Sequence, residues 1–568
     1  FSRSVPPGPS PEPGPQEPEA VGPPLFEDVT ARTKIDFTYR NGEEANHLAI
    51  IESVGGGVAL FDYDGDGLLD VFIPGGGHYE GKQVLGNPCR LYKNMGNFVF
   101  KDVTAEVGLD GQYQYTHGAA AFDYDNDGWP DLLLTGYSRL VLLHNEPDGH
   151  GGRHFVDVTK PAGLDDTLWS TSAGWGDLDG DGFPEIYVCH YGDWGFDTNH
   201  PTDCKYDGKT RDVCQPKRFK PLPHTLYHNN RDGTFTDVSD RLFPPMERKE
   251  GRGLGVMFVD VNGDGRPDIY VANDTDDNFL FMNRGKKKGE LLLEEVGGYA
   301  GVARDDRGYR DGSMGVDAAD FDRSGLPSII VTNYEDELPA LYQNRCTAEQ
   351  EMFIFATQKT GIAVIGASNV SWGVGFFDCD HDGWEDLLIV SGHAIRYPSR
   401  SDRRQIPSLF HNDRGMFKVA TNQGGEYFRR AHNARGAALG DLDNDGKIDM
   451  VVNHLNEPVA VLRGVAPTEG RHWVGVELVG EGNRDVVGAR VVLAGSPPQT
   501  RFAKGGGSFA STNDPRMVFG LGTQTDVGKV TVHWPSGRVQ EYTGLKADSY
   551  WHLIEADPQP HPGPRRRG

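Results

Sequence analysis

Short apolar runs alternate with acidic turns along most of the chain. The clearest unit is an apolar strand, a nine-residue acidic loop and a second apolar strand, and it recurs seven times. Copy one, GVALF-DYDGDGLLD-VFI, carries Asp62, Asp64, Asp66 and Asp70. Copy two, GAAAF-DYDNDGWPD-LLL, carries Asp123, Asp125, Asp127 and Asp131. Copy three, SAGWG-DLDGDGFPE-IYV, carries Asp177, Asp179, Asp181 and Glu185. Copy four, LGVMFV-DVNGDGRPD-IYV, carries Asp260, Asn262, Asp264 and Asp268. Copy six, GVGFF-DCDHDGWED-LLI, carries Asp378, Asp380, Asp382 and Asp386. Copy seven, GAALG-DLDNDGKID-MVV, carries Asp441, Asp443, Asp445 and Asp449. Copy five, VDAA-DFDRSGLPS-IIV, keeps Asp320 and Asp322 but has Ser324 and Ser328 where the other copies have acids.

A second phrase follows each loop and reads as strand, Asn/Gly turn, strand. It begins near Leu91 (LYKNMGNFVFKDVT), Leu142, Leu226, Phe279, Leu341 and Leu409. Successive first aspartates lie 61, 54, 83, 60, 58 and 63 residues apart. Each unit therefore holds four short strands in about 60 residues, the content of a propeller blade. Seven units predict an all-β, seven-bladed β-propeller over 25–464. The segment LFEDVT at Leu25–Thr30 matches the end of the second phrase, whereas the seventh unit stops at AVLRG without such a strand. Residues 25–30 are thus expected to supply the outer strand of the last blade and close the ring. Residues 465–555 alternate in short stretches such as WVGVELVG and KVTVHWP, which predicts a small β-sandwich-like module. The flanks, 1–24 and 556–568, are a Pro-rich linker and a basic, Pro-rich tail.

The acidic loop follows DxDxDGxxD. Four carboxylates in nine residues repel one another unless a cation sits between them. Ca²⁺ takes six to eight oxygens and tolerates irregular geometry, so it is the expected ion, with Mg²⁺ second. Side chains at positions 1, 3, 5 and 9 are the expected ligands. The position-7 residues Leu68, Trp129, Phe183, Arg266, Trp384 and Lys447 add their carbonyls. An EF-hand would need Glu at position 12, where the intact copies have Ile73, Leu134, Val188, Val271, Ile389 and Val452. About six structural ions are expected, with loop five weak or empty.

Charge narrows the partners. The chain has 83 Asp+Glu against 56 Lys+Arg, a formal charge of −27, which argues against nucleic acid and anionic membrane surfaces. No apolar run approaches the roughly 18–20 residues that span a bilayer. The chain opens on Phe1, which reads as a mature, exported form after signal-peptide removal. Of six cysteines, Cys204 and Cys214 share one turn-rich insertion and are the expected disulfide; the sequence leaves open the pairing of Cys89, Cys189, Cys346 and Cys379.

The acidic loops resemble FG-GAP repeats, the calcium-binding blades of integrin α-chain heads. GNRDVVGARVVL (482–493), KGGGSFASTNDPRMVFGLG (504–522) and VTVHWPSGRVQEY (530–542) resemble the ASPIC/UnbV domain. Together they are similar to the cartilage acidic protein family over residues 25–555. The resemblance implies a secreted or periplasmic calcium-binding protein that works through interactions. It carries the loop acids over as calcium ligands and offers no catalytic residues.

The function expected is an extracellular interaction or scaffold protein whose partner is a protein or glycan. The insertions 190–224 and 391–407 are its candidate surface, the second locally basic. Self-assembly into a filament or surface layer through the N-terminal arm is a special case. The alternative is a polysaccharide-active hydrolase or lyase, with His190, Asp193, His393 and His432 as candidates outside the metal loops. His117 and His432 precede inner-strand glycines and are expected to pack along the channel.

Overall fold

A computed structural model describes residues 22–242, 250–347 and 349–567. Most of the Pro-rich linker therefore lies outside the described residues, as do a short stretch after Leu242 and the final residue. Each acidic loop joins the first two strands of an antiparallel four-stranded sheet, and seven such sheets follow in chain order. In sheet two the strands are Thr116–Phe122, Asp131–Gly136, Val141–Pro147 and Arg153–Asp157. The second strands are continuous apolar runs because both of their faces are covered by neighbouring sheets.

Sheet seven is completed from the other end of the chain. Its strands Ala434–Gly440, Asp449–His454 and Ala460–Gly464 are joined by Phe26–Asp28, with Phe26 opposite Gly464 and Asp28 opposite Leu462. First and last segments thus share one sheet, and a sheet edge is covered. The architecture is a β-propeller.

Residues 472–562 form two further sheets around Val474, Val491, Phe519, Val532 and Trp534. One pairs His472–Val479 in parallel with Ser549–Ile554. Between them, residues 504–512 leave this domain as a finger that enters the propeller axis. Gly505–Gly506 pairs with Met257 and Phe258 of sheet four. Further along, Thr512 N donates to Val58 O at 2.9 Å, Val316 N to Ser508 O at 3.0 Å, and Ser508 Oγ to Ala437 O at 2.7 Å. A Cβ on Gly505 would stand 1.7 Å from the Trp175 carbonyl oxygen, so only glycine fits this approach. Phe509 packs edge-on against Trp372, 4.8 Å between centroids, and Arg435 lies 4.1 Å from the Trp372 ring.

Insertions cover another part of the core. Cys204 and Cys214 are disulfide-bonded with Cα atoms 5.2 Å apart; Cys89, Cys189, Cys346 and Cys379 are buried free thiols. Tyr191, Trp194, Val213, Phe219 and Ile395 are buried in the same cluster as Phe509. Among the described residues, no helix is long and apolar enough to cross a membrane.

Candidate metal centres

Each loop is shaped by its own acids. The position-1 carboxylate accepts the N–H of the position-6 glycine, at 2.9 Å for Asp62 and Gly67 and 2.7 Å for Asp260 and Gly265. Those glycines sit at positive φ, +88° at Gly67 and +105° at Gly182, where a side chain would be strained. The position-5 carboxylate accepts the position-7 N–H, as in Asp127 with Trp129 at 2.8 Å and Asp445 with Lys447 at 2.9 Å.

This folding brings the predicted ligands together. Carboxylate oxygens of Asp62, Asp64 and Asp66 fall within 4.8 Å of one another. So do ligand atoms of Asp125, Asp127 and His144, of Asp179, Glu185 and His228, and of Asp380, Asp382 and His411. Four oxygens of the predicted ligand acids are buried without a hydrogen-bond partner: Oδ1 of Asp64, Asp123, Asp177 and Asp443. Burial, reinforced by neighbouring loop acids, pushes Asp123 and Glu185 up to about 8 and Asp177 and Asp441 up to about 7. Crowded, partly dry carboxylates favour the protonated form until a cation offsets them. Carboxylate oxygens with unpaired lone pairs suit a hard divalent ion, and in three of these clusters a histidine nitrogen stands beside them.

The position-9 acid has a second task that the sequence does not announce. Asp70 accepts Tyr63 N at 3.1 Å and Asn94 N at 2.8 Å, so it staples the loop to the third strand. Asp131, Glu185, Asp268, Asp386 and Asp449 repeat the arrangement, bonding Asn145, Asn229, Asn283, Asn412 and Gly464. The third-strand asparagine then reaches the preceding sheet. Asn145 Nδ2 donates to Tyr63 O at 2.9 Å, Asn229 Nδ2 to Tyr124 O at 2.8 Å, and Asn283 Nδ2 to Leu178 O at 2.7 Å. The signal was present in the chain as the Asn of the second phrase, where it reads only as a turn residue.

Loop five keeps the shape with less charge. Ser328 Oγ replaces the position-9 carboxylate and accepts Asn344 N at 3.0 Å. Asp320 accepts Gly325 N at 3.0 Å, and Ser324 Oγ donates to it at 3.3 Å. Lys504 of the finger root pairs with Asp317 beside this loop.

The candidates outside the loops are bound into local structure. His190 contacts Pro223 O at 2.7 Å and Asp166 at 3.0 Å. Asp193 accepts Asn199 Nδ2 at 2.9 Å and Lys220 N at 2.7 Å. His393 is buried and accepts Ile395 N at 3.2 Å; burial lowers it to about 4. His432 stacks on Tyr427, 4.1 Å between centroids. His117 accepts Trp169 Nε1 at 2.8 Å and burial lowers it to about 3. The arginines of 391–407 face the chain's own acids: Arg396 pairs with Glu52 at 2.5 Å, Arg403 with Glu43, Arg400 with Asp336, and Arg404 with Glu457 at 2.7 Å. The locally basic insertion thus presents little unpaired charge.

Four-stranded sheets with acidic inter-strand loops, set about a filled axis, define an FG-GAP-type propeller. The FG-GAP-like repeat family matches at 62–134, 123–188, 223–271, 260–331 and 378–452, and ASPIC and UnbV matches at 480–560. Cartilage acidic protein 1 of Xenopus tropicalis is 26% identical over 508 residues, covering 85% of this chain and 70% of that protein. The Homo sapiens protein of the same name is 23% identical over 502 residues, covering 85% and 69%. Among solved structures, an Agrocybe aegerita lectin specific for non-reducing terminal N-acetylglucosamine has 16% identity and a TM-score of 0.38, covering 72% of this chain and 90% of that one. The Dos1 propeller has 10% identity and a TM-score of 0.38, covering 78% and 97%. The chain belongs to the FG-GAP-like repeat family, carries a C-terminal ASPIC and UnbV segment, and is similar to cartilage acidic protein 1 over most of its length.

Proposed function

We propose that this chain is an extracellular, calcium-binding propeller that serves as an interaction or scaffold protein. The observation that carries the reading is the set of buried, partnerless carboxylate oxygens at Asp64, Asp123, Asp177 and Asp443, inside loops whose acids are pushed toward protonation. Side chains at positions 1, 3, 5 and 9 would hold the ion, which would supply positive charge between strands one and two of each sheet. Asp70, Asp268 and Asp449 keep a second lone pair on each oxygen while accepting backbone N–H groups; in Asp131, Glu185 and Asp386 a histidine shares the oxygen bound to the third strand, and the other oxygen keeps its second lone pair. The calcium is structural in this reading: it stabilises the folded chain by mass action and leaves the loops between strands free to meet a partner.

The partner is an extracellular protein or a glycan. The FG-GAP and cartilage acidic protein relationship and the cystine at Cys204–Cys214 support an oxidising, calcium-rich compartment. Self-assembly through the N-terminal arm is the filament version of the same reading, and electron microscopy of the purified chain tests it. The direct test is immobilised protein exposed to extracellular material in millimolar calcium and then eluted with EDTA. A specific protein or glycan released by EDTA supports the proposal; identical recovery in both conditions contradicts it.

A further inference from the structure

The residue just before the third-strand asparagine, or before Gly464 in sheet seven, contacts an acid of the loop in every sheet but the fourth. It is Lys93, His144, His228, Met282, Gln343, His411 and Arg463 in order. The contacts divide these residues by which acids they meet. Lys93 Nζ bridges positions 3 and 5 of loop one, bound to Asp64 and 3.1 Å from Asp66. Arg463 Nη2 bridges the same positions of loop seven, 2.9 Å from Asp443 and 3.1 Å from Asp445. The histidines meet the position-9 acids most closely and bridge no pair at positions 3 and 5, although His144 lies 3.8 Å from Asp125 and His228 3.8 Å from Asp179 at position 3. His144 and His411 contact the position-9 acids Asp131 and Asp386, each at 3.0 Å, and His228 contacts Glu185 at 2.9 Å. Met282 brings no charge to loop four. Gln343 donates to Asp322 at 2.6 Å in loop five, where position 5 is no longer an acid.

We infer that Lys93 and Arg463 act as built-in cations in loops one and seven, so that the chain has four tight calcium sites, in loops two, three, four and six, instead of six. The inference rests on the calcium reading above and refines it. Positions 3 and 5 are where the side chains of a DxDxDG loop converge, and a tethered ammonium or guanidinium there is present at high effective concentration. A divalent ion must displace it and separate two salt bridges. Other arginines near the loops meet one carboxylate of positions 3 and 5 each: Arg153 with Asp127 at 3.6 Å, Arg231 with Asp181 at 3.3 Å, Arg266 with Asp264, and Arg471 with Asp380 at 2.6 Å. None of these bridges positions 3 and 5 as Lys93 and Arg463 do. Loop one is further loaded by the basic tail, where Arg567 N donates to Gly65 O at 3.0 Å and Arg567 Nη1 to Asp62 O at 3.1 Å. Arg463 is steadied by Phe98, whose ring centroid lies 5.5 Å from its guanidinium carbon. Asp64 and Asp443 each retain one partnerless oxygen, so a single side-chain cation offsets the loop without filling it.

The test is calcium stoichiometry by equilibrium dialysis, with the metal measured by mass spectrometry, at a calcium concentration that saturates the tight class. The full chain is compared with Lys93→Gln, Arg463→Gln and the double variant, each verified as folded by near-ultraviolet circular dichroism. Four ions in the parent, five in each single variant and six in the double variant support the inference. Should the double variant misfold, either single variant decides. A parent that already binds six ions, or variants that gain none, overturns the inference while calcium binding itself stands. A parent that binds no calcium overturns the reading on which it rests.

Discussion

The Asn94 side-chain amide donates to the Leu442 carbonyl at 2.8 Å, joining sheet one to the loop of sheet seven. The same clasp runs from each third-strand asparagine to position 2 of the preceding loop, as with Asn344 and Val261 O at 2.8 Å and Asn412 and Phe321 O at 2.9 Å. The junction between sheets six and seven lacks it, because Gly464 stands at the asparagine position. The acidic loops are therefore part of the ring's mechanical contacts as well as candidate ion sites.

Replacing a clasp residue should loosen the ring. Asn145→Ala removes the bonds to Tyr63 O and Pro130 O and leaves buried carbonyls unmet. A cost of about 1–3 kcal/mol is expected. Thermal unfolding in calcium should show a lower Tm than the parent, with Asn229→Ala behaving alike.

Positions 9 and 3 should respond differently to calcium. Asp131→Asn places an amide where two backbone N–H groups now meet a carboxylate, so it should destabilise the chain both in calcium and in EDTA. Asp125→Asn should cost stability mainly in calcium, because the Asp125 carboxylate belongs to the cluster with Asp127 and His144. Tm values of both variants in the two buffers check this. Equal calcium dependence for the two would contradict the division of roles.

The alternation of apolar runs and acidic turns made the sheets, their loops and their order legible, since strand patterning is local. The closing strand was legible too, because Phe26–Asp28 repeats a phrase found after the loops. What joins the sheets was not. The Asn145 clasp connects residues 82 apart, and nothing near Asn145 in the chain marks its acceptor. The run KGGGSFAST was legible as part of a domain motif, but its entry into the propeller axis depends on contacts with strands some 250 to 450 residues away, such as Thr512 with Val58 and Gly505 with Phe258. The arginines of 391–407 looked like a basic surface because their acids, Glu43, Glu52, Asp336 and Glu457, are remote in sequence.

The finger should be intolerant of side chains. Gly505→Val puts carbon atoms into the Trp175 carbonyl and should separate the C-terminal domain from the propeller. Limited proteolysis should then cut near 465–472 much faster than in the parent. Parent-like resistance with an unchanged Tm would contradict the close approach.

Acidity should act in opposite directions with and without calcium. Asp123 and Glu185 at about 8, and Asp177 and Asp441 at about 7, hold protons in the folded chain that the unfolded chain releases near pH 4. A folded state that binds more protons gains stability as pH falls. In EDTA these groups therefore add stability that is fully present below about pH 4 and is lost as pH rises toward 8. Calcium binds the deprotonated acids, so the stabilisation it provides should shrink as pH falls from 8 to 5. Melts in both buffers across this range test the two signs.

The central claim is that divalent ions occupy the acidic loops and hold the ring of sheets together. Calcium titration of the EDTA-treated chain, followed by its melting temperature at pH 7.5, tests it most directly. The account predicts a Tm that climbs with calcium and continues to rise with its logarithm once the sites are filled, as ligand binding to the folded state requires. The same Tm in millimolar calcium and in EDTA would contradict it.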